Sequence, residues 1–154
     1  MAGRSLPVLI ADPSVLNLRF LRETMSGFLV SHIDTSSDAK YAFELALKKK
    51  YGLFLFNLSM PDLPGALLYD LLRRVDEHAQ RGKRLPPVLF IVDDKSINQG
   101  EIANLVREPG VRGVLRAPIK IQRLLEQVTD CVDSRYLKTS VMGPRVLRAA
   151  GRAA

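Results

Sequence analysis

The chain has 154 residues, of which 47% are apolar and 25% charged, with a formal net charge of +7. Length and composition fit one globular domain with its own core and exclude a disordered or collagen-like chain. The single cysteine, Cys131, excludes an internal disulfide and points to a reducing compartment.

The charge is unevenly placed. Residues 135–154 hold five bases (Arg135, Lys138, Arg145, Arg148 and Arg152) and no acid, which leaves 18 bases against 16 acids in residues 1–134. The expected organisation is a nearly neutral domain over 1–134 and a basic extension over 135–154. Such a tail is either a solvated extension or a footprint for an anionic partner. No apolar run is long enough to span a membrane. The apolar stretch after Arg4 is too short for a signal-peptide core, so a cytoplasmic protein is expected.

In chain order, Leu6–Ala11 reads as a buried strand. Asp12-Pro13-Ser14 starts a helix, with Pro suited to a first turn. Leu18, Leu21 and Met25 recur at helical spacing, and Gly27 is expected to end that helix. Phe28–Ile33 reads as a second strand. The polar run Asp34–Asp38 supplies capping residues for a helix whose face is Ala39, Ala42, Phe43, Ala46 and Leu47. Lys48–Lys50 close it at the negative end of its dipole.

Gly52–Phe56 is a third strand and Asn57–Gly65 a loop with two prolines. Leu68, Leu71, Leu72 and Val75 mark a third helix, and Arg81–Arg84 a polar link. Pro87–Val92 is a fourth strand, followed by a polar loop at Asp93–Ser96. Ile102, Leu105 and Val106 mark a fourth helix, stopped by Glu108-Pro109-Gly110. Val111–Leu115 is a fifth strand. After Pro118, Ile121, Leu124, Leu125, Val128 and Val132 mark a fifth helix, with Cys131 beside its apolar stripe. Apolar strands alternating with helices predict a parallel sheet covered on both faces, with right-handed crossovers.

In such a sheet the chemistry lies beyond the carboxyl ends of the strands. Those ends deliver Asp12, Asn57, Val92 with Asp93 and Asp94 behind it, and Arg116-Ala117-Pro118. Here the chain resembles the CheY-like receiver domains of response regulators. The resemblance covers about residues 6–133 and rests on VLIADPS (8–14), YGLFLFNLSMPDLPG (51–65), LPPVLFIVDD (85–94) and GVRGVLRAP (110–118). It implies a doubly wound α/β fold with five helices and strand order 2-1-3-4-5.

It also implies a degenerate site. The family's acid pair after the first strand reads Asp12-Pro13 here, so one acid is kept. The phospho-accepting aspartate is Asn57. The hydroxyl residue ending the fourth strand is Val92, the lysine of the fifth strand is Ala117, and the aromatic inside that strand is Val114. An amide is a very poor nucleophile toward phosphorus. Asp12 alone is a weak anchor for Mg²⁺, which wants several hard oxygen ligands. No metal, cofactor or catalytic residue is therefore expected, and Asp12 is read as a cap of the first helix.

Asp93 and Asp94 are read as a polar loop capping the fourth helix, with a rebuilt metal site as the alternative. Ser59 is the one nearby hydroxyl that could take a phosphoryl group in place of Asn57. His32 and His78 have no partner in sequence and are assigned no chemistry.

The expected function is a pseudo-receiver: a signalling module that binds other proteins without being phosphorylated. The resemblance places the partner or homodimer surface on the fourth helix, fifth strand and fifth helix. There Arg107, Arg112, Val114, Lys120 and Arg123 suit an acidic partner. The alternative is a carrier of the basic tail for nucleic acid or another anionic surface. Nucleic acid is disfavoured, because the stretch Val141–Ala150 of the tail has no aromatic to stack on bases. With Val92 and Val114 in place of a hydroxyl and an aromatic, one resting conformation is expected.

Overall fold

A computed structural model of the chain describes residues 4–79, 85–93 and 97–138. Five strands, β1 (Leu6–Ala11), β2 (Ser31–Ser36), β3 (Leu53–Asn57), β4 (Val88–Val92) and β5 (Val111–Arg116), alternate with five helices. The helices are α1 (Val15–Phe28), α2 (Ala39–Lys48), α3 (Gly65–His78), α4 (Gln99–Val106) and α5 (Ile121–Cys131). Every pairing is parallel and the order is β2-β1-β3-β4-β5.

The sheet separates two cores. On one face Val8, Ile10, Leu55 and Leu89 meet Leu18 and Leu21 of α1 and Leu124 and Val128 of α5. On the other, Leu9, Phe54, Phe56 and Phe90 meet Ala39 and Ala42 of α2 and Leu68, Tyr69 and Leu72 of α3. Strands β3 and β4 are buried at every position, which accounts for their continuous apolar sequences. β2 (SHIDTS) is polar and only partly buried, because it is an edge strand with one neighbour.

Several boundaries differ from the sequence reading. Gly27 lies inside α1, which runs on to Phe28, and β2 starts at Ser31. Phe28 completes the buried stripe Leu18, Leu21, Met25, and that burial outweighs the weak propensity of an exposed glycine. Pro13 precedes the helix, because Ser14 is the N-cap and its side chain accepts from the Asn17 amide. Of the run Asp34–Asp38, only Asp38 caps α2; Asp34–Ser36 belong to β2. Leu47, Val75, Val106 and Ile121, which helical spacing assigns to buried stripes, are exposed.

Residues 135–138, which charge assigns to the basic extension, include a segment packed on the domain. A single 3₁₀ turn, Ser134–Tyr136, carries the chain across the α1–β2 junction. Val30 donates to the Tyr136 carbonyl (2.7 Å) and Lys138 donates to the Phe28 carbonyl (2.8 Å). Leu137 is 6% exposed and joins the α1–α5 core. The packed unit therefore takes in Leu137 and Lys138, because one buried leucine and two main-chain bonds outrank local charge. Arg81–Arg84, Asp94 and the tail from residue 139 lie outside the described residues.

Candidate functional site

The carboxyl ends of β1, β3 and β4 converge at one edge of the sheet, and their parallel register fixes which side chains meet. Ala11 pairs with Phe56 and Asn57 with Ile91. Asp12, just past the end of β1, and Asn57, the last residue of β3, are thus neighbours, and both are fully buried. Gly65, at the start of α3, packs against the Asn57 backbone, where a side chain would run into the Asn57 carbonyl oxygen. That close approach is what the glycine eight residues after Asn57 provides.

Asn57 is the centre of the cluster. Its Nδ2 donates to Asp12 Oδ2 at 3.0 Å and to Asp93 Oδ2 at 2.9 Å. Its Oδ1 accepts from the Ser59 amide at 2.7 Å. Carboxylates only accept and a backbone N–H only donates, so this amide orientation alone satisfies all three neighbours. Asp12 Oδ1 also accepts from the Ser14 amide at 2.8 Å, and the Asn17 side chain lies at 3.4 Å from Oδ2. Asp12 thus orders the turn leading into α1, while Ser14 itself caps the helix.

Val92 ends β4, buried, and its carbonyl accepts from the Ala117 amide at 2.8 Å. Ala117 has no group to offer the cluster beyond its backbone. Val114 is partly buried against the α2–α3 side of the core.

Asp93 departs from its expected role. It reaches into the cluster, and α4 is capped by Asn98, whose side chain accepts from the Glu101 amide. Asn17 was not anticipated from the sequence. Its position five residues after Asp12, one helical turn into α1, is the signal that could have found it.

The residues present do not fit a divalent cation as arranged. Mg²⁺ needs oxygen donors converging on one point. Here the point between the two carboxylates is filled by amide N–H groups, and the amide oxygen faces away toward Ser59. Ser59, the alternative acceptor, donates its own backbone N–H to Asn57.

Arg107, Arg112, Lys120 and Arg123 are all exposed along α4, β5 and α5. Arg116, named from the sequence only as a strand-end residue, joins them and donates to the Gln99 side chain at 3.1 Å. Of the basic tail, Arg135 lies 3.6 Å from Asp133 and over the Tyr136 ring, and Lys138 Nζ donates to the Ser26 carbonyl at 2.8 Å. Arg145, Arg148 and Arg152 lie outside the described residues.

Three titratable groups outside the cluster, Asp62, Asp34 and Cys131, have structural explanations. The Asp62 carboxylate accepts from the Ala39 and Lys40 amides, each at 3.0 Å, which holds it below the usual carboxylate range. Burial pushes Asp34 up, but bonds from the Tyr51 hydroxyl (2.7 Å) and Lys49 (3.0 Å) outweigh this and leave it lowered. Burial pushes the Cys131 thiol up to about 11, and its Sγ donates to the Gln127 carbonyl, the state of a packed, unreactive cysteine. No helix among the described residues is long and apolar enough to cross a membrane.

No family model matches the chain, and no curated protein matches it in sequence. Solved structures do. CheY4 of Vibrio cholerae is 19% identical, with 84% of this chain and 100% of that one covered at a TM-score of 0.66. The signal receiver domain of an HD domain-containing protein from Pseudomonas fluorescens is 20% identical, covering 83% and 94% at 0.66. A chain of the Saccharomyces cerevisiae co-crystal of the histidine phosphotransfer protein Ypd1 with the receiver domain of Ssk1 is 16% identical, covering 88% and 94% at 0.71. The chain has the fold of a CheY-like response-regulator receiver domain, with the strand order the sequence led us to expect.

Proposed function

We propose that this chain is a receiver-fold signalling module that works by binding other proteins and takes no phosphoryl group. The observation that carries this reading is the Asn57 amide, bonded to both Asp12 and Asp93. Phosphoryl transfer to a receiver needs an anionic oxygen nucleophile and a cation to neutralise developing charge. At this position the nucleophile is an amide, and its N–H groups occupy the place of a cation. Val92 and Ala117 supply neither a hydroxyl nor an ammonium to hold a phosphoryl oxygen.

The same bonds tie the start of the β4–α4 loop, through Asp93, to the β1–α1 turn, through Asp12. That favours one resting conformation over a two-state switch. The structural neighbour containing Ypd1 and the Ssk1 receiver supports protein binding as the mode of action. The α4–β5–α5 face, with Arg107, Arg112, Val114, Lys120 and Arg123, is the surface we assign to it. No enzymatic activity, metal or cofactor is part of this reading.

The full chain is incubated with acetyl phosphate and Mg²⁺ and weighed by intact-mass spectrometry. We expect an unchanged mass, and unchanged backbone amide resonances on adding beryllofluoride. A gain of one phosphoryl group, on Ser59 or elsewhere in the cluster, would overturn the proposal.

A further inference from the structure

β5 is the last strand of the sheet, and no strand among the described residues pairs with its outer edge. The Ala117 amide turns inward to the Val92 carbonyl. Alternation along an extended strand then directs the main-chain groups of Val114 and Arg116 outward. The opposite edge is treated differently: Leu29 and Val30, just ahead of β2, are bonded by residues 136–138.

Two arginines bracket the open main chain of β5: Arg112, the extra residue where Val111 and Gly113 pair with consecutive residues of β4, and Arg116 at the strand's end. Arg112 leans toward α5 and donates to the Asp130 carbonyl at 3.3 Å; Arg116 leans toward α4 and donates to Gln99 Oε1. Both acceptors are neutral, so neither bond neutralises a guanidinium. Lys120 and Arg123 extend the positive strip along the start of α5, and Arg107 closes it below α4. Arg123 faces an acid, Glu126, at 3.4 Å, but the pair is exposed and screened by solvent.

We infer that the β5 edge takes an extended acidic segment of a partner protein by strand addition. Main-chain bonds at Val114 and Arg116 supply affinity, and the flanking bases select for carboxylates and fix register. A second copy of the chain is a poor occupant. An antiparallel pairing centred on Val114 would set Arg112 of one copy against Arg116 of the other, the kind of like-charge edge that natural sheets use to stay apart. The inference rests on the protein-binding reading above, but its failure is distinguishable, because phosphoryl uptake is measured independently.

The test titrates isotope-labelled full chain with a blocked peptide alternating Glu and Val, and with the same peptide methylated at every backbone nitrogen. We expect the unmethylated peptide to shift the amides of residues 112–116 and to slow hydrogen exchange at Val114 and Arg116. The methylated peptide, and the folded Arg112→Glu/Arg116→Glu variant, should bind roughly tenfold more weakly or worse. Equal binding of both peptides would reduce the edge to a basic patch and overturn strand addition. So would the absence of shifts at millimolar peptide, or shifts confined to another face. A dimer in sedimentation that the double variant disperses would assign the edge to a second copy instead.

Discussion

At the scale of single residues, Asn57 does most to define this protein. In the cluster it is a neutral double donor between two carboxylates. Asn57→Asp removes both donors and adds a third carboxylate within the same few ångströms. The variant should lose about 1–3 kcal/mol, read as a melting temperature several degrees lower in EDTA. Mg²⁺ should restore part of that loss in the variant and leave the wild type unmoved; identical melts with and without Mg²⁺ would refute the charge argument. Asp62 provides a pH test. Its carboxyl is held low by the α2 amides, so its contribution is complete above the ordinary carboxyl pKa of about 3.9. It is lost as pH falls through the lower folded value. The stability difference between wild type and Asp62→Asn should thus be flat at neutral pH and shrink only in acid, as read by urea melts across the range.

At the scale of elements, the helices were readable wherever an apolar stripe and a capping residue agreed. Ser14 and Asp38 cap as their type predicts, whereas α4 is capped by Asn98 and not by the Asp93 loop. Gly27 misled because glycine is read as a terminator, whereas α1 continues beneath it to bury Phe28. A Cβ at Gly27 meets nothing within 4 Å, so Gly27→Ala should stabilise by about 0.5–1 kcal/mol, measured as a higher urea midpoint. Gly110 is the opposite case. Its φ is +89°, a region that L side chains seldom adopt, and a methyl there would collide with the Tyr69 hydroxyl. Arg73 braces this corner by stacking on Tyr69 and donating to the Pro109 carbonyl.

At the scale of the whole molecule, the packed unit includes the Leu137 strap. A chain cut after Lys138 keeps this strap. A chain cut after Ser134 loses the buried Leu137 and its neighbouring main-chain bonds, at a cost of about 2–5 kcal/mol. Thermal melts of the two truncations compare these directly, and equal melting would show the strap to be dispensable.

Strand order, helix count and the identity of Asp12, Asn57, Val92 and Ala117 were all legible before any coordinates. Parallel strands buried on both faces leave a periodicity and an apolar signature that local sequence carries, and strand ends name the residues beyond them. Packing across the fold was not legible. The reach of Asp93 to Asn57, the seat of Leu137 under α1 and the outward main chain of β5 join residues tens of positions apart. Local pattern has no term for such contacts: burial and hydrogen bonding, satisfied only once the chain has closed on itself, decide them.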